Sequence, residues 1–90
     1  MKVFFKKTFI KDFEKLPNNE KEKVREVCFY IFPETENLAE FTKYPIRKLR
    51  GFDDYYRIRI GNFRIGFKKS ENRIIFMRVL HRKDIYRRFP

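Results

Sequence analysis

The chain has 90 residues, of which 42% are apolar, and a formal net charge of +11 at pH 7. This length allows one domain with one modest core, and the apolar share excludes a disordered chain. The single cysteine, Cys28, excludes a disulfide framework and a zinc site of spaced cysteines. We therefore expect a single domain, residues 1–90, in a reducing compartment, with Cys28 as a buried thiol.

Neither a targeting segment nor a membrane span is predicted. The first residues lack the apolar run of a signal peptide. The longest apolar run, Val27 to Phe32, is far too short to cross a bilayer. We therefore expect a cytoplasmic protein without a membrane partner.

The positive charge is concentrated in the second half of the chain. Residues 1–46 carry nine Lys/Arg and eight Asp/Glu, whereas residues 47–90 carry fourteen Lys/Arg and four Asp/Glu. This asymmetry indicates a polyanionic partner such as nucleic acid or a membrane surface. Arginines that alternate along strands favour such a partner over a merely soluble basic surface.

A short strand and a helix are predicted at the start of the chain. Lys2 to Lys6 favours an edge strand. Thr8 is a candidate N-cap for the first helix, and Pro17 ends that helix because the residue before a proline avoids helical geometry. Three apolar residues with helical spacing form the buried face of this helix: Phe9, Phe13 and Leu16.

A second helix is predicted to form a hairpin with the first. Asn18 or Asn19 caps it, and with Asn19 as the cap, Glu22 falls at the acidic position of a capping box. Pro33 is predicted to terminate this helix, and Pro33 to Pro45 to form a connector with one or two helical turns. The apolar residues of the second helix repeat with helical spacing: Val24, Val27, Cys28, Ile31 and Phe32.

The region from Lys48 to Tyr86 predicts three strands joined by tight turns. Gly61-Asn62 suits a two-residue hairpin turn, because both residues tolerate positive φ. The third strand, Arg73 to Leu80, is apolar on both faces except at Arg78, which is typical of a central strand. On this strand we expect Ile75, Met77 and Val79 to lie on one face and Ile74, Phe76 and Arg78 on the other.

These elements together predict a small α+β domain. An N-terminal strand and a two-helix hairpin are expected to pack on a mainly antiparallel sheet. The segment from Arg82 to Arg88 is expected to be one helical turn or a loop.

Alternation along the first two strands of the basic region separates apolar residues from arginines. If the apolar face covers the helices, Arg57, Arg59 and Arg64 converge on the opposite, solvent-facing side. Gly66 is expected to leave a gap beside them, where the backbone of a ligand could approach closely. The apolar face comprises Tyr56, Ile58, Ile60, Phe63, Ile65 and Phe67.

Arginines, one histidine and several tyrosines can support metal-free cleavage of RNA. The acidic residues of the basic half do not pair at metal-ligand spacing, so no metal and no other cofactor is expected. In such cleavage the 2′-hydroxyl attacks the neighbouring phosphorus, and an arginine can stabilise the charge that develops on the phosphate oxygens. Arginine stays protonated and cannot be the base. The candidates for proton transfer are His81 and Tyr86, with Lys83 or Lys48 behind them.

The order of the elements and four short motifs resemble the RelE/ParE superfamily of bacterial and archaeal toxins. Its members are the toxin halves of type II toxin–antitoxin pairs. RelE-type members are mRNA interferases that cut messenger RNA in the ribosomal A site. The resemblance therefore implies an endoribonuclease with messenger RNA and the ribosome as partners. The motifs are Lys48-Leu49-Arg50-Gly51, Tyr56-Arg57-Ile58-Arg59-Ile60, Phe63-Arg64-Ile65 and His81-Arg82-Lys83-Asp84-Ile85-Tyr86.

The resemblance also implies roles for the arginines of the sheet. Arg57 and Arg59 occupy two basic strand positions that contact substrate phosphate, and Arg64 stabilises the charge of the transition state. Lys48 and Arg50, from the first motif, are further candidates for substrate binding.

The last motif supplies the remaining catalytic candidates. The resemblance places Arg82 at a basic active-site position and Tyr86 at the tyrosine that stacks on or orients the cleaved nucleotide. In the best-known member the positions of Arg57 and Arg59 hold lysines, one of which can act as a base. Arginines at both positions shift that role towards His81, as in histidine-bearing relatives.

Two other functions fit the same residues. ParE-type members share the scaffold and resemble DNA gyrase inhibitors, and a basic sheet also suits a non-catalytic RNA-binding module. In each toxin reading the resemblance implies a cognate antitoxin as partner. We expect a monomer when the toxin is free and a hetero-oligomer when an acidic antitoxin segment wraps it.

Overall fold

The computed structural model describes the whole chain, Met1 to Pro90, as a five-stranded sheet with helices on both faces. The strands are β1 (Lys2–Phe5), β2 (Ile46–Lys48), β3 (Tyr55–Ile60), β4 (Phe63–Ser70) and β5 (Arg73–His81). The helices are α1 (Lys7–Glu14), α2 (Asn18–Arg25), α3 (Phe32–Glu34) and α4 (Arg82–Arg88), with a π-helical segment (Glu26–Ile31) and a 3₁₀ turn (Leu38–Glu40). None of the helices is long and apolar enough to span a bilayer.

The sheet has the order β1-β5-β4-β3-β2 and is mainly antiparallel. Only β1 and β5 run parallel, and the other neighbouring pairs are antiparallel. The predicted α+β fold, with an N-terminal strand and a helical hairpin on the sheet, is confirmed. The position of β5 between β1 and β4 also confirms that the third basic strand is central.

The core lies between one face of the sheet and the helices α1 and α2 with the segments that follow them. Phe32 lies at its centre, with ring centroids 5.1 to 5.6 Å from Phe41, Phe67 and Phe76. Cys28 is buried in the same core, as predicted.

We call the face of the sheet that lies opposite this core the open face. Burial of Ile58, Ile60, Ile65 and Phe67 confirms which side of β3 and β4 faces the helices.

The start of the first helix differs from the prediction. α1 begins at Lys7, with Lys6 in the cap position, so Thr8 lies inside the helix and is not its N-cap. The Lys6 N–H donates to the Phe76 carbonyl of β5 at 2.9 Å, so the pairing with β5 continues up to the residue before α1. The chain therefore turns from β1 into α1 without a connecting loop. The Thr8 hydroxyl instead donates to the Met77 carbonyl at 2.8 Å and ties α1 to β5.

The second helix also differs at both ends. Pro17 occupies the cap position of α2 and no asparagine side chain caps it, so the predicted capping box is wrong. Pro33 does not terminate the helix, because a π-helical turn precedes it and Phe32 donates its N–H to the carbonyl of Val27. Pro33 lies in α3, directly after this π-helical turn, and the helix ends one residue later at Glu34.

Two features of the sheet were not predicted. Three residues directly after the predicted connector, Ile46–Lys48, form β2 and pair with β3. In β5, Phe76 pairs with Phe67 and Arg78 pairs with Gly66, so Met77 is an extra, bulged residue. The bulge reverses the alternation, and the predicted faces of β5 are therefore wrong. The buried residues of this strand are Ile74, Phe76 and Val79.

Candidate nucleic-acid interface

Four arginines meet on the open face of the sheet and form what we call the arginine cluster: Arg47, Arg57, Arg59 and Arg64. They line a cavity of about 270 Å³ together with Tyr86 and, at its edge, Pro45 and Ile46. No carboxylate lines this cavity. The cavity is therefore a concave, strongly positive surface that an anion such as a phosphate group can enter.

Cross-strand register brings these arginines together. Arg47 of β2 pairs with Arg57 of β3, and Arg59 of β3 pairs with Arg64 of β4. Alternation then directs all four side chains to the open face, away from the buried isoleucines of the same strands. Like charges directly opposite each other are destabilising, so the cluster weakens the free sheet and favours a bound anion.

Arg64 is one of two half-buried members of the cluster, with Arg57. Its Nη1 donates to the carbonyls of Gly61 at 2.8 Å and Phe63 at 3.0 Å, which fixes the guanidinium at the end of the hairpin. Partial desolvation is the largest cause that lowers the pKa of Arg64, and the positive charges of Arg59 and Arg82 lower it further. A guanidinium stays protonated at physiological pH. It is therefore a fixed positive charge with no carboxylate partner.

Tyr86 projects from α4 over the cluster. Its side chain is 68% exposed, and the guanidinium carbon of Arg57 lies 4.5 Å from the centre of its ring. The neighbouring guanidinium of Arg57 lowers the pKa of Tyr86 below its ordinary value. The site thus combines fixed positive charges with one phenol that can exchange a proton or stack on a base.

His81 lies outside the cavity of the arginine cluster. It is the N-cap of α4, where its Nδ1 accepts a hydrogen bond from the Lys83 N–H at 3.2 Å, and its ring contacts Phe63 edge-on at 5.6 Å. It lines a separate cavity beside Asp84 and Arg78. His81 therefore stabilises the start of α4 through Nδ1. Its other ring nitrogen, Nε2, takes no part in this cap.

The other predicted site residues are divided between the cluster and its surroundings. Arg82 does not line the cavity, but it is near enough for its positive charge to lower the pKa of Arg64. Lys48 lines a different, larger cavity of about 580 Å³ beside Tyr56, and Arg50 is exposed in the turn after β2. The structure thus brings together Arg57, Arg59, Arg64 and Tyr86, with Arg82 nearby, and does not bring His81, Lys48 or Arg50 into the same cavity.

Sequence reasoning missed Arg47 and misjudged Gly66. Arg47 joins the cluster only through β2, a strand too short to show alternation. The gap at Gly66 does not admit a ligand, because the ring of Phe89 fills it: a Cβ added to Gly66 would lie 2.7 Å from three ring atoms. No pattern in the sequence links Gly66 to Phe89, because the two residues lie far apart in the chain.

Comparison with known proteins extends over nearly the whole chain. A family model described as the ParE toxin of the type II toxin–antitoxin system parDE matches residues 3–86. The chain belongs to this RelE/ParE family of toxins. The match runs from β1 to Tyr86, so it includes every residue that lines the arginine cavity.

The toxin is also similar to relatives called RelE. It is 44% identical to Toxin RelE3 of Methanocaldococcus jannaschii over 92 residues, which cover 100% of both chains. Its fold matches the crystal structure of a RelB–RelE antitoxin–toxin complex from Methanococcus jannaschii with a TM-score of 0.83 and 40% identity, over 98% of this chain and 100% of that chain. The toxin–antitoxin complex RelBE2 of Mycobacterium tuberculosis shares the fold at 24% identity, with a TM-score of 0.69 over 89% of this chain and 95% of that chain. The resemblance to RelE-type toxins is confirmed.

Proposed function

We propose that this toxin is a metal-independent endoribonuclease that cuts messenger RNA in the A site of the ribosome. The observation that supports this most is the arginine cluster, which surrounds one cavity with four guanidinium groups and one tyrosine. A phosphate of the RNA backbone fits such a cavity by charge, and a planar guanidinium binds phosphate oxygens in a bidentate manner.

In the proposed reaction the 2′-oxygen of one nucleotide forms a bond to the adjacent phosphorus, and the bond from phosphorus to the 5′-oxygen of the next nucleotide breaks. The proton of the 2′-hydroxyl passes to a base, and a proton is delivered to the leaving 5′-oxygen. Negative charge builds on the phosphate oxygens in the transition state. Arg64, held by two backbone carbonyls, meets that charge without reorganising, and Arg57 and Arg59 hold the phosphate.

Tyr86 is the proton-transfer group that the geometry favours. It is the only residue lining the arginine cavity, other than the arginines themselves, that carries a titratable proton. Its lowered pKa makes its phenol a stronger acid than an isolated tyrosine and eases donation of a proton to the leaving oxygen. The geometry gives less support to His81 as the base, because it lines a separate cavity beside Asp84 and Arg78, although the helix cap leaves its Nε2 free.

The proposed partner of the toxin outside translation is a cognate antitoxin. The RelE relative from Methanococcus jannaschii is bound to the antitoxin RelB in its crystal structure. The charge excess of the second half of this chain suits an acidic antitoxin segment. We expect a monomer when free and a hetero-oligomer when co-expressed with the adjacent reading frame. Absence of a co-purifying protein from that reading frame would count against this partner.

Replacement of Arg64 tests the site. Arg64→Ala should lower the rate of RNA cleavage by about 10³-fold, because it removes one preorganised positive charge from the phosphate. The fold should persist, since the side chain bonds only to carbonyls of its own hairpin. Arg73→Ala is the matched control, because it removes an exposed arginine of the same sheet outside the cluster. Undiminished cleavage by Arg64→Ala would contradict the assignment.

Mapping of messenger RNA 5′ ends after brief induction of the toxin tests the reaction itself. In-frame cuts that disappear when ribosomes are removed are the expected result. Cuts that persist without ribosomes would identify an autonomous ribonuclease and contradict the role of the A site.

The match to a family model described as the ParE toxin gives a second candidate function, inhibition of DNA gyrase. Under this alternative, induction stops growth with DNA damage and altered supercoiling, while messenger RNA stays intact. The same induction experiment therefore separates the two functions.

A further inference from the structure

Two buried side chains attach helix α4 to the open face of the sheet, one within the helix and one on the residue directly after it. Ile85 is fully buried and Phe89 is 6% exposed, yet neither belongs to the core on the other side of the sheet. Tyr86 follows Ile85 directly and is exposed. The rotation of 100° per residue in a helix thus places Tyr86 beside the buried stripe, over the arginine cluster.

The last of these attachments depends on Gly66. A Cβ at this position would lie 2.7 Å from the Cγ, Cδ1 and Cδ2 atoms of Phe89, closer than real Cβ atoms approach. The φ of Gly66 is not in the left-handed region, so its backbone does not itself require glycine. What the position requires is the absence of a side chain. The ring of Phe89 also contacts Tyr55 edge-on at 5.7 Å.

The register of the sheet connects this contact to the site. Gly66 of β4 pairs with Arg57 of β3, so Phe89 rests on the sheet beside the residue whose guanidinium lies against Tyr86. Phe89 is the residue directly after α4, three positions beyond Tyr86, and its N–H donates to the Ile85 carbonyl at 3.0 Å. This hydrogen bond ties Phe89 to the last turn of α4, which also carries Tyr86.

We propose that Gly66 and Phe89 are positioning residues: their contact holds the last turn of α4 against the sheet and so keeps Tyr86 at Arg57 in the arginine cavity. The catalytic consequence rests on the proposed function, whereas the placement of Tyr86 does not. Without the contact, α4 keeps the burial of Ile85 and the hydrogen bond from the Arg82 N–H to the Asn62 carbonyl at 2.7 Å. Its last turn then leaves the sheet, and Tyr86 leaves Arg57.

Two single variants break the contact from opposite sides. Gly66→Ala fills the space that the Phe89 ring occupies, and Phe89→Ala removes the ring. The Tyr86 ring is followed by NMR of protein with labelled tyrosines, with its signal assigned by comparison with Tyr86→Phe. In both variants we expect the signal to move towards that of an unconstrained tyrosine and the pKa of Tyr86 to rise towards its ordinary value.

The double variant shows whether the two substitutions act through the same contact or disturb Tyr86 independently. Because both substitutions remove the same contact, Gly66→Ala with Phe89→Ala should shift the Tyr86 signal no further than either single change. Additive shifts would overturn the proposal. Phe52→Ala is the control, because Phe52 also contacts Tyr55, at 5.8 Å, and is not among the nearest atoms at Gly66. It should leave the Tyr86 signal unchanged.

The consequence for RNA cleavage is measured on the same proteins. A displaced Tyr86 should lower kcat by about 100-fold, the scale of loss for a group misplaced by about 1 Å. KM should change little, because the arginines stay in place. An unchanged Tyr86 signal in Phe89→Ala, a variant that adds no atom, would overturn the proposal even if Gly66→Ala failed to fold. If the wild-type toxin cuts no RNA, the proposed function fails, and the Tyr86 signal still decides whether the contact positions this residue.

Discussion

Asp12 is a buried carboxylate whose removal should destabilise the toxin without touching the arginine cluster. Its side chain is 9% exposed and accepts two hydrogen bonds from Arg78, from Nε at 2.7 Å and from Nη2 at 3.0 Å. It also accepts the buried N–H of Val79 at 3.2 Å. Asp12→Ala would therefore leave both a guanidinium and a backbone N–H without a partner.

The expected cost follows from these contacts. Removal of one member of a buried ion pair costs about 3–5 kcal/mol, because it leaves the other charge without compensation. Arg78 is 21% exposed and can partly reach water, so we expect the lower end, about 3 kcal/mol. For a domain of this size that corresponds to a fall in Tm of roughly 12–24 °C.

Urea denaturation followed by circular dichroism measures this cost. Asp12→Asn keeps an acceptor for the Val79 N–H and should lose less stability than Asp12→Ala. Glu22→Ala is the matched control, because the Glu22–Arg25 pair is exposed, with side chains 71% and 37% accessible, and should contribute less than about 1 kcal/mol. A loss in Asp12→Ala no larger than that in Glu22→Ala would refute the reasoning.

Two further predictions concern a buried thiol and an exposed phenol. Burial raises the pKa of Cys28 well above its ordinary value, so alkylation should require unfolding and follow the denaturation curve, and rapid labelling of the native toxin would contradict this. Arg57 lowers the pKa of Tyr86, so in Arg57→Gln the tyrosinate should form at higher pH than in the wild type. An absorbance titration with Tyr86→Phe as reference measures this, and an unchanged pKa would show that Arg57 does not act on the phenol.

The part of the site that the sequence predicted is the part governed by local periodicity. Alternation along β3 and β4 depends only on neighbours in the chain, so it placed Arg57, Arg59 and Arg64 on one face. Arg47 was missed because three residues cannot show a period. The bulge at Met77 was missed because it is a mismatch between two strands, and neither strand shows it alone.

Contacts between distant segments explain the other differences. The space beside Gly66, predicted to be open to a ligand, is filled by Phe89, whose position is determined by the path of α4 across the sheet. His81 has the chemistry of a base, yet the backbone at the start of α4 uses its Nδ1. Residue type therefore indicated what these side chains can do, and tertiary structure determined which of them meet.

The way α1 lies against β5 has a consequence for association between molecules. β1 pairs with β5 only as far as Phe76, and beyond that point Thr8 and Asp12 of α1 occupy hydrogen-bonding groups of Met77 and Val79. An unpaired strand edge acts as a template on which other chains can add and aggregate. With this stretch covered by a helix, the outer strands β1 and β2 are only 4 and 3 residues long. Edges this short protect a sheet from growing by strand addition.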